Sequence, residues 1–152
     1  MSAVYNEISK RLETVPYIRR SVDDVKEAGG TQWMSTLDEH MDNFARYLKG
    51  TGGTLDDSVD GFVEMTVETI RLQQNFFRTG KFNTLEDYDE HTDVYQDRDL
   101  MVRRYLPGLY LAQLLWQNHY QKLRFFRDQV VPRVATAKRA LDVGAGPGTF
   151  GL

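Results

Sequence analysis

The chain contains no cysteine, which excludes disulfides, thiolate nucleophiles and Cys-ligated zinc. That absence fits a reducing compartment. No apolar run is long enough to span a bilayer, and Met1 to Glu7 lack the charged-then-apolar order of a signal peptide. Neither charge sign dominates: 19 basic residues stand against 22 acidic ones, a net charge of −3. Adjacent basic residues occur only as pairs, Arg19-Arg20 and Arg103-Arg104 among them, and never as a long run. Such a balance gives no electrostatic reason to expect nucleic acid or an anionic membrane as partner. There is no internal repeat at solenoid spacing and no low-complexity tract. A cytoplasmic globular protein is the expectation.

What is present is a helical period. With 41% hydrophobic and 27% charged residues, the chain can bury a core. Val4, Ile8, Leu12 and Val15 share a face before Pro16 interrupts. A short helix through Val22 and Val25 should stop at Gly29-Gly30. The next carries Met34, Leu37, Met41, Phe44 and Leu48, with Thr31 as N-cap and Gly50 as its end. Thr51-Gly52-Gly53-Thr54 resembles a linker, after which Asp56 or Asp57 caps a helix carrying Val59, Phe62, Val63, Thr66, Val67, Ile70 and Phe77, closed by Gly80. Leu100–Leu106 reads as helical until Pro107-Gly108. A long helix from Leu109 to Val130, ending before Pro132, has an apolar arc of about half the wheel, which predicts a central position.

The period changes at the end of the chain. Arg139-Ala140-Leu141-Asp142-Val143 is a strand candidate, followed at once by Gly144-Ala145-Gly146-Pro147-Gly148-Thr149. A strand running into a glycine-rich turn is how a nucleotide-binding α/β unit opens. Alternating glycines let the backbone turn tightly and approach a ligand without Cβ clashes. A following helix would aim free N–H groups at the same space. A single strand cannot satisfy its own backbone groups, so residues 1–152 are expected to be incomplete as an α/β protein.

The string from Leu141 to Gly148 resembles the first motif of class I S-adenosylmethionine-dependent methyltransferases, an acidic residue followed by G-x-G-x-G. The resemblance covers only about Lys138 to Leu152. It implies that Gly144, Ala145, Gly146 and Gly148 pass beneath the amino-acid part of S-adenosylmethionine, with Asp142 holding the loop. The family's ribose-binding acid would lie beyond Leu152, so residues 1–152 alone are expected to be inactive and to bind cofactor weakly. A dinucleotide (FAD or NAD) loop is the competing reading, since Gly146 to Gly151 formally matches G-x-G-x-x-G. Counted from Gly144, however, its third glycine position is Thr149, and an Asp directly before the loop is atypical there.

Three further sets of residues merit weighing. His119 lies on the Leu115-His119-Leu123 row, where an imidazole serves either as general base for a substrate hydroxyl or as a core histidine bonded to a carbonyl. Trp116 and Tyr120 are candidate substrate contacts. Along with Trp33, Phe76, Phe77, Phe125 and Phe126, they also suit a helix core. The acidic tract Glu86, Asp87, Asp89, Glu90, His91, Asp93, Asp97 and Asp99 has the oxygen density for a divalent cation. It lacks a Ca²⁺-loop glycine, so a solvated loop is favoured and no metal is assigned.

The expected architecture is mainly α. Residues 1–133 form a helical, bundle-like domain that acts as lid, substrate-binding or dimerisation region, and residues 134–152 begin a truncated Rossmann-like α/β domain. The expected function is methyl transfer to a small-molecule acceptor by the protein completed with its C-terminal catalytic domain, with a homodimer as a further expected partner. The alternative is a non-enzymatic helical interaction or dimerisation module.

Overall fold

The computed structural model describes residues 3–82, 96–139 and 141–150. Helix α1 (Ala3–Arg11) passes into a 3₁₀ turn (Leu12–Thr14), and α2 spans Pro16–Thr51 with a break at Gly30. Helix α3 is Leu55–Thr79, and the short α4 is Arg98–Leu100. A π-helical turn (Met101–Tyr105) leads into α5 (Leu106–Leu115), then α6 (Gln117–Phe125). A second π turn (Phe126–Val130) leads into α7 (Val131–Val134). The mainly α expectation holds. The strand expected at Arg139–Val143 is absent among the described residues (Ala140 lies outside them), and Leu141 and Val143 are 88% and 86% exposed. A lone strand has no neighbour to complete its backbone hydrogen bonds, and the first turn begins at Val143.

The chain divides into two compact units, Met1–Asn43 with Tyr110–Leu152, and Phe44–Leu109. In the first unit Tyr5, Ile8, Leu12, Ile18, Val22, Val25, Trp33 and Leu37 are buried, as are Leu111, Leu114, Leu115, Tyr120 and Leu123. Tyr5, not Val4, supplies the inner face of α1, and its ring meets Trp33 edge-on with centroids 5.6 Å apart. Pro16 opens α2, where a missing N–H costs nothing. Arg19 then ties the two helices, donating from Nη1 to the Ser9 carbonyl at 2.8 Å and pairing with Asp23 one turn on. Gly30 breaks α2 at φ 54°, ψ −139°, a conformation that costs a side-chain-bearing residue dearly. Its stop was legible in sequence.

The expected straight helix Leu109–Val130 is corrected to separate pieces. Trp116 is extended, at φ −95° and ψ 130°, and its carbonyl accepts from Tyr120 N–H at 2.9 Å to start α6. The reason lies in the phase of the apolar residues. At 100° per residue, Tyr110, Leu111, Leu114 and Leu115 centre roughly 180° away from Tyr120 and Leu123. The broad arc is therefore two faces, and the break lets both be buried.

In the second unit Thr54, rather than Asp56 or Asp57, caps α3, its hydroxyl accepting from Asp57 N–H at 3.1 Å. Gly80 closes α3 in the left-handed region at φ 67°. Helix α2 ends at Thr51, one residue beyond the expected Gly50. The second unit's core holds Phe44, Val59 and Phe62 with the small residues Ser58, Gly61 and Gly108. A Cβ on Gly108 would meet Gly61 C and Phe62 N at 2.7 Å, so the two backbones cross in direct contact.

Pro107 and Pro132 were expected to end helices, and both are instead absorbed. Leu106 N–H bonds to Met101 O, and Val131 N–H bonds to Phe126 O, each one residue wider than the α pattern. A π turn placed before a proline relieves the ring's clash with the preceding turn. It also frees the Val102 carbonyl, which accepts from the Tyr47 hydroxyl at 2.7 Å. Among the described residues, no helix is long and apolar enough to cross a membrane.

Candidate functional site

The glycine-rich loop is a series of tight turns. Gly144, Gly146 and Gly148 sit at φ 76°, 54° and 74°, the left-handed region in which a side chain is strained. Gly148 N–H closes one turn on the Ala145 carbonyl at 2.9 Å. Asp142, Gly144, Ala145, Gly146 and Gly148 are exposed, and a Cβ on Gly144 or Gly148 would meet open space. Gly144 and Gly148 therefore answer to backbone conformation, not to crowding by the protein. The loop's far end is anchored: Thr149 is 2% exposed, and the Phe150 ring meets Phe126 edge-on at 5.1 Å.

His119 lies near the start of α6 with its ring against Trp116, centroids 5.0 Å apart and planes at 71°. The extended backbone of Trp116 creates this pair by turning the chain just before His119. The Nδ1 of His119 is buried and has no hydrogen-bond partner among the described residues. Burial, then the charge of Lys122, holds its pKa below the ordinary histidine value and so favours the neutral ring. A neutral, unpaired imidazole nitrogen can accept a proton. Tyr120, by contrast, is 4% exposed and faces Gly29 and Thr36. Its hydroxyl approaches that of Thr36 without full hydrogen-bond geometry, and burial raises its pKa while Arg127 lowers it. The structure thus pairs two of the three candidate helix residues and turns the third into the core.

The polar cluster that sequence reasoning missed is His40, Tyr110, Thr36 and Arg127. His40 Nδ1 lies 2.8 Å from Tyr110 Oη, which in turn donates to the His40 carbonyl at 3.2 Å. Arg127 donates from Nη1 to Thr36 Oγ1. His40 and Thr36 are 5% and 3% exposed. The available signal was position: His40 follows Leu37 by three and precedes Phe44 by four, so it shares the apolar stripe. Of the acidic tract, Glu86 to Asp93 lie outside the described residues. Asp97 caps α4 by accepting from Asp99 N–H and Leu100 N–H at 2.9 and 3.0 Å, and Asp99 faces Arg103 at 3.9 Å. Set beside protein-family models, curated proteins and solved structures, the chain matches none of them.

Proposed function

We propose that the chain is the N-terminal helical part of an S-adenosylmethionine-dependent methyltransferase acting on a small-molecule acceptor. The observation that carries the reading is the Asp142 to Gly148 motif with its glycines at positive φ. Gly144 and Gly148, at positive φ with nothing of the protein above them, leave room for a ligand against the backbone. Leu141 and Val143 are apolar and exposed on either side of Asp142, surface that an α/β region would cover. In this reading residues 1–133 are the substrate-facing domain and residues 134–152 open the Rossmann-like one, in a cytoplasmic enzyme.

Methyl transfer from a sulfonium asks little of the protein beyond proximity and, for a hydroxyl acceptor, proton removal. Asp142, Gly144, Ala145, Gly146 and Gly148 would hold the cofactor. His119, held neutral by burial, would take the acceptor's proton through its more accessible ring nitrogen, and Trp116 beside it would supply a flat apolar wall. Tyr120 would support this wall from the core side. The exposed apolar residues Phe125, Val131 and Val134 favour association with the α/β region or with a second copy.

Calorimetric titration of S-adenosylhomocysteine tests the reading. A polypeptide extended along the same reading frame should bind it, and residues 1–152 alone should bind weakly or not at all. In the extended protein Gly146→Val should abolish binding by forcing a branched residue into a left-handed position. His119→Ala should leave binding unchanged while lowering turnover. No binding by the extended protein overturns the proposal, and tight binding by residues 1–152 would show the site to be elsewhere.

A further inference from the structure

Helix α3 carries more apolar surface than its own unit covers. Val59, Phe62 and Thr66 form its buried row, but from Val67 onward every residue of the helix is exposed or half-buried. A second row, Val63, Val67, Ile70, Gln74 and Phe77, recurs at alternating spacings of four and three. At 100° per residue this row is centred roughly 70° round the helix from the buried one. Its spacing is that of the seam between two coiled helices, with Gln74 as its one polar position. Val67 is 53% exposed and Phe77 82%, while Val63 and Ile70 are half-buried. Apolar side chains set in one row and facing water form a contact surface.

Charge identifies the partner. Along the outer edge of this row stand Asp60, Glu64, Arg71 and Arg78, acids toward the N-terminal end and bases toward the C-terminal end. Glu64 accepts from Arg104 Nε at 3.0 Å, and Arg71 Nε donates to Glu68 at 2.9 Å. Arg78 donates to the neutral amide of Asn75 at 2.9 Å, which leaves its charge to be matched. We propose that α3 is the interface of a symmetric dimer, its Val63–Phe77 row packing antiparallel against the same row of a second copy. With Ile70 near the two-fold axis, Val63 lies opposite Phe77, Val67 opposite Gln74 and Asp60 opposite Arg78, each pair formed twice. A parallel arrangement sets Arg78 against Arg78 and Asp60 against Asp60, so the order of charges selects the antiparallel one. The seam is about 21 Å long, short for an interface, and the dimer should dissociate on dilution. It is independent of any role at the glycine loop.

Sedimentation of residues 1–152 over a concentration series tests the dimer, which should form reversibly. Phe77→Ser should weaken it about tenfold or more by removing an aromatic anchor, and Ile70→Glu similarly by setting two carboxylates together at the axis. Phe77 is exposed within its own unit, so the dilute Phe77→Ser protein should melt as the unaltered one does. Arg78→Asp should weaken the dimer, and adding Asp60→Arg should restore it, because the exchange rebuilds both pairs. Val131→Ser should leave it unchanged. Orientation is read by oxidative cross-linking, since the chain has no cysteine of its own. Ile70→Cys should cross-link at the axis. Arg78→Cys should not, because its two copies stand about 24 Å apart along the helices, beyond disulfide reach. Should Ile70→Glu or Ile70→Cys disturb folding, the exchange of Asp60 and Arg78 decides. A monomer at every concentration overturns the proposal, as does a dimer indifferent to Phe77→Ser or one cross-linked through Arg78→Cys.

Discussion

The two units hold their helices together by opposite means. Met1–Asn43 with Tyr110–Leu152 fills its core with large side chains and fixes their positions with buried side-chain hydrogen bonds from Trp33 and His40 and a part-buried one from Arg127. Phe44–Leu109 brings backbone against backbone at Gly61 and Gly108, and fixes that approach with Tyr47 on a carbonyl freed by the π turn. The first means stores stability in apolar area, which scales with side-chain size. The second stores it in close contact, which tolerates no added atom. Each unit should therefore fail to the substitution that the other would best withstand.

Trp33→Ala should have the largest effect. It removes a buried indole, its edge-on contact with Tyr5 and its bond to Leu114, and should cost about 3–5 kcal/mol by urea denaturation. Its loss of exchange protection should concentrate in α1, α5 and α6. A cost below about 1 kcal/mol would mean that the first unit is not held by large-residue packing.

Gly61→Ala sharpens the comparison from the other side. Alanine raises helix propensity, which at a free position would stabilise α3 by up to about 1 kcal/mol. Here the added methyl meets the Arg104 carbonyl, a backbone atom that cannot swing aside. A net cost of about 1–3 kcal/mol is expected, with protection lost across α3 and α5. Stabilisation would show that the two backbones do not touch.

Thr54→Ala should have the smallest effect, about 1 kcal/mol, because it removes only the cap at the start of α3 and leaves both cores intact. Thermal melts suffice to measure it. A shift as large as that of Gly61→Ala would mean that the second unit depends on its helix ends more than on its glycine crossing.

Much of the helical layout was legible from residue order. The break at Gly30, the end of α3 at Gly80 and the apolar stripe from Leu37 to Phe44 follow from glycine's backbone freedom and a period near 3.6. The prolines misled, because a proline's cost was counted against a regular α-helix, and a π turn ahead of Pro107 or Pro132 lowers that cost. The Leu109–Val130 helix misled for a related reason: a wheel drawn through Trp116 cannot reveal that the helix restarts there. His119 and Trp116 were visible as residues, but their pairing depends on that break. His40 escaped notice because a lone histidine on an apolar stripe carries no mark of its partner, here 70 residues away in sequence.

The sequence by itself determined that the chain is mainly helical, where glycine permits a break, and which residues form the glycine-rich turns. Those properties depend on local torsion, side-chain period and residue identity, and each is complete within a few neighbouring positions. Only the tertiary structure decided which polar groups are buried together, where two backbones touch, and how a proline is carried inside a helix. Each of these requires a partner distant in sequence, such as Leu114 for Trp33, Arg104 for Gly61 or Tyr47 for the carbonyl of Val102. Desolvation makes such pairings obligatory once a group is buried.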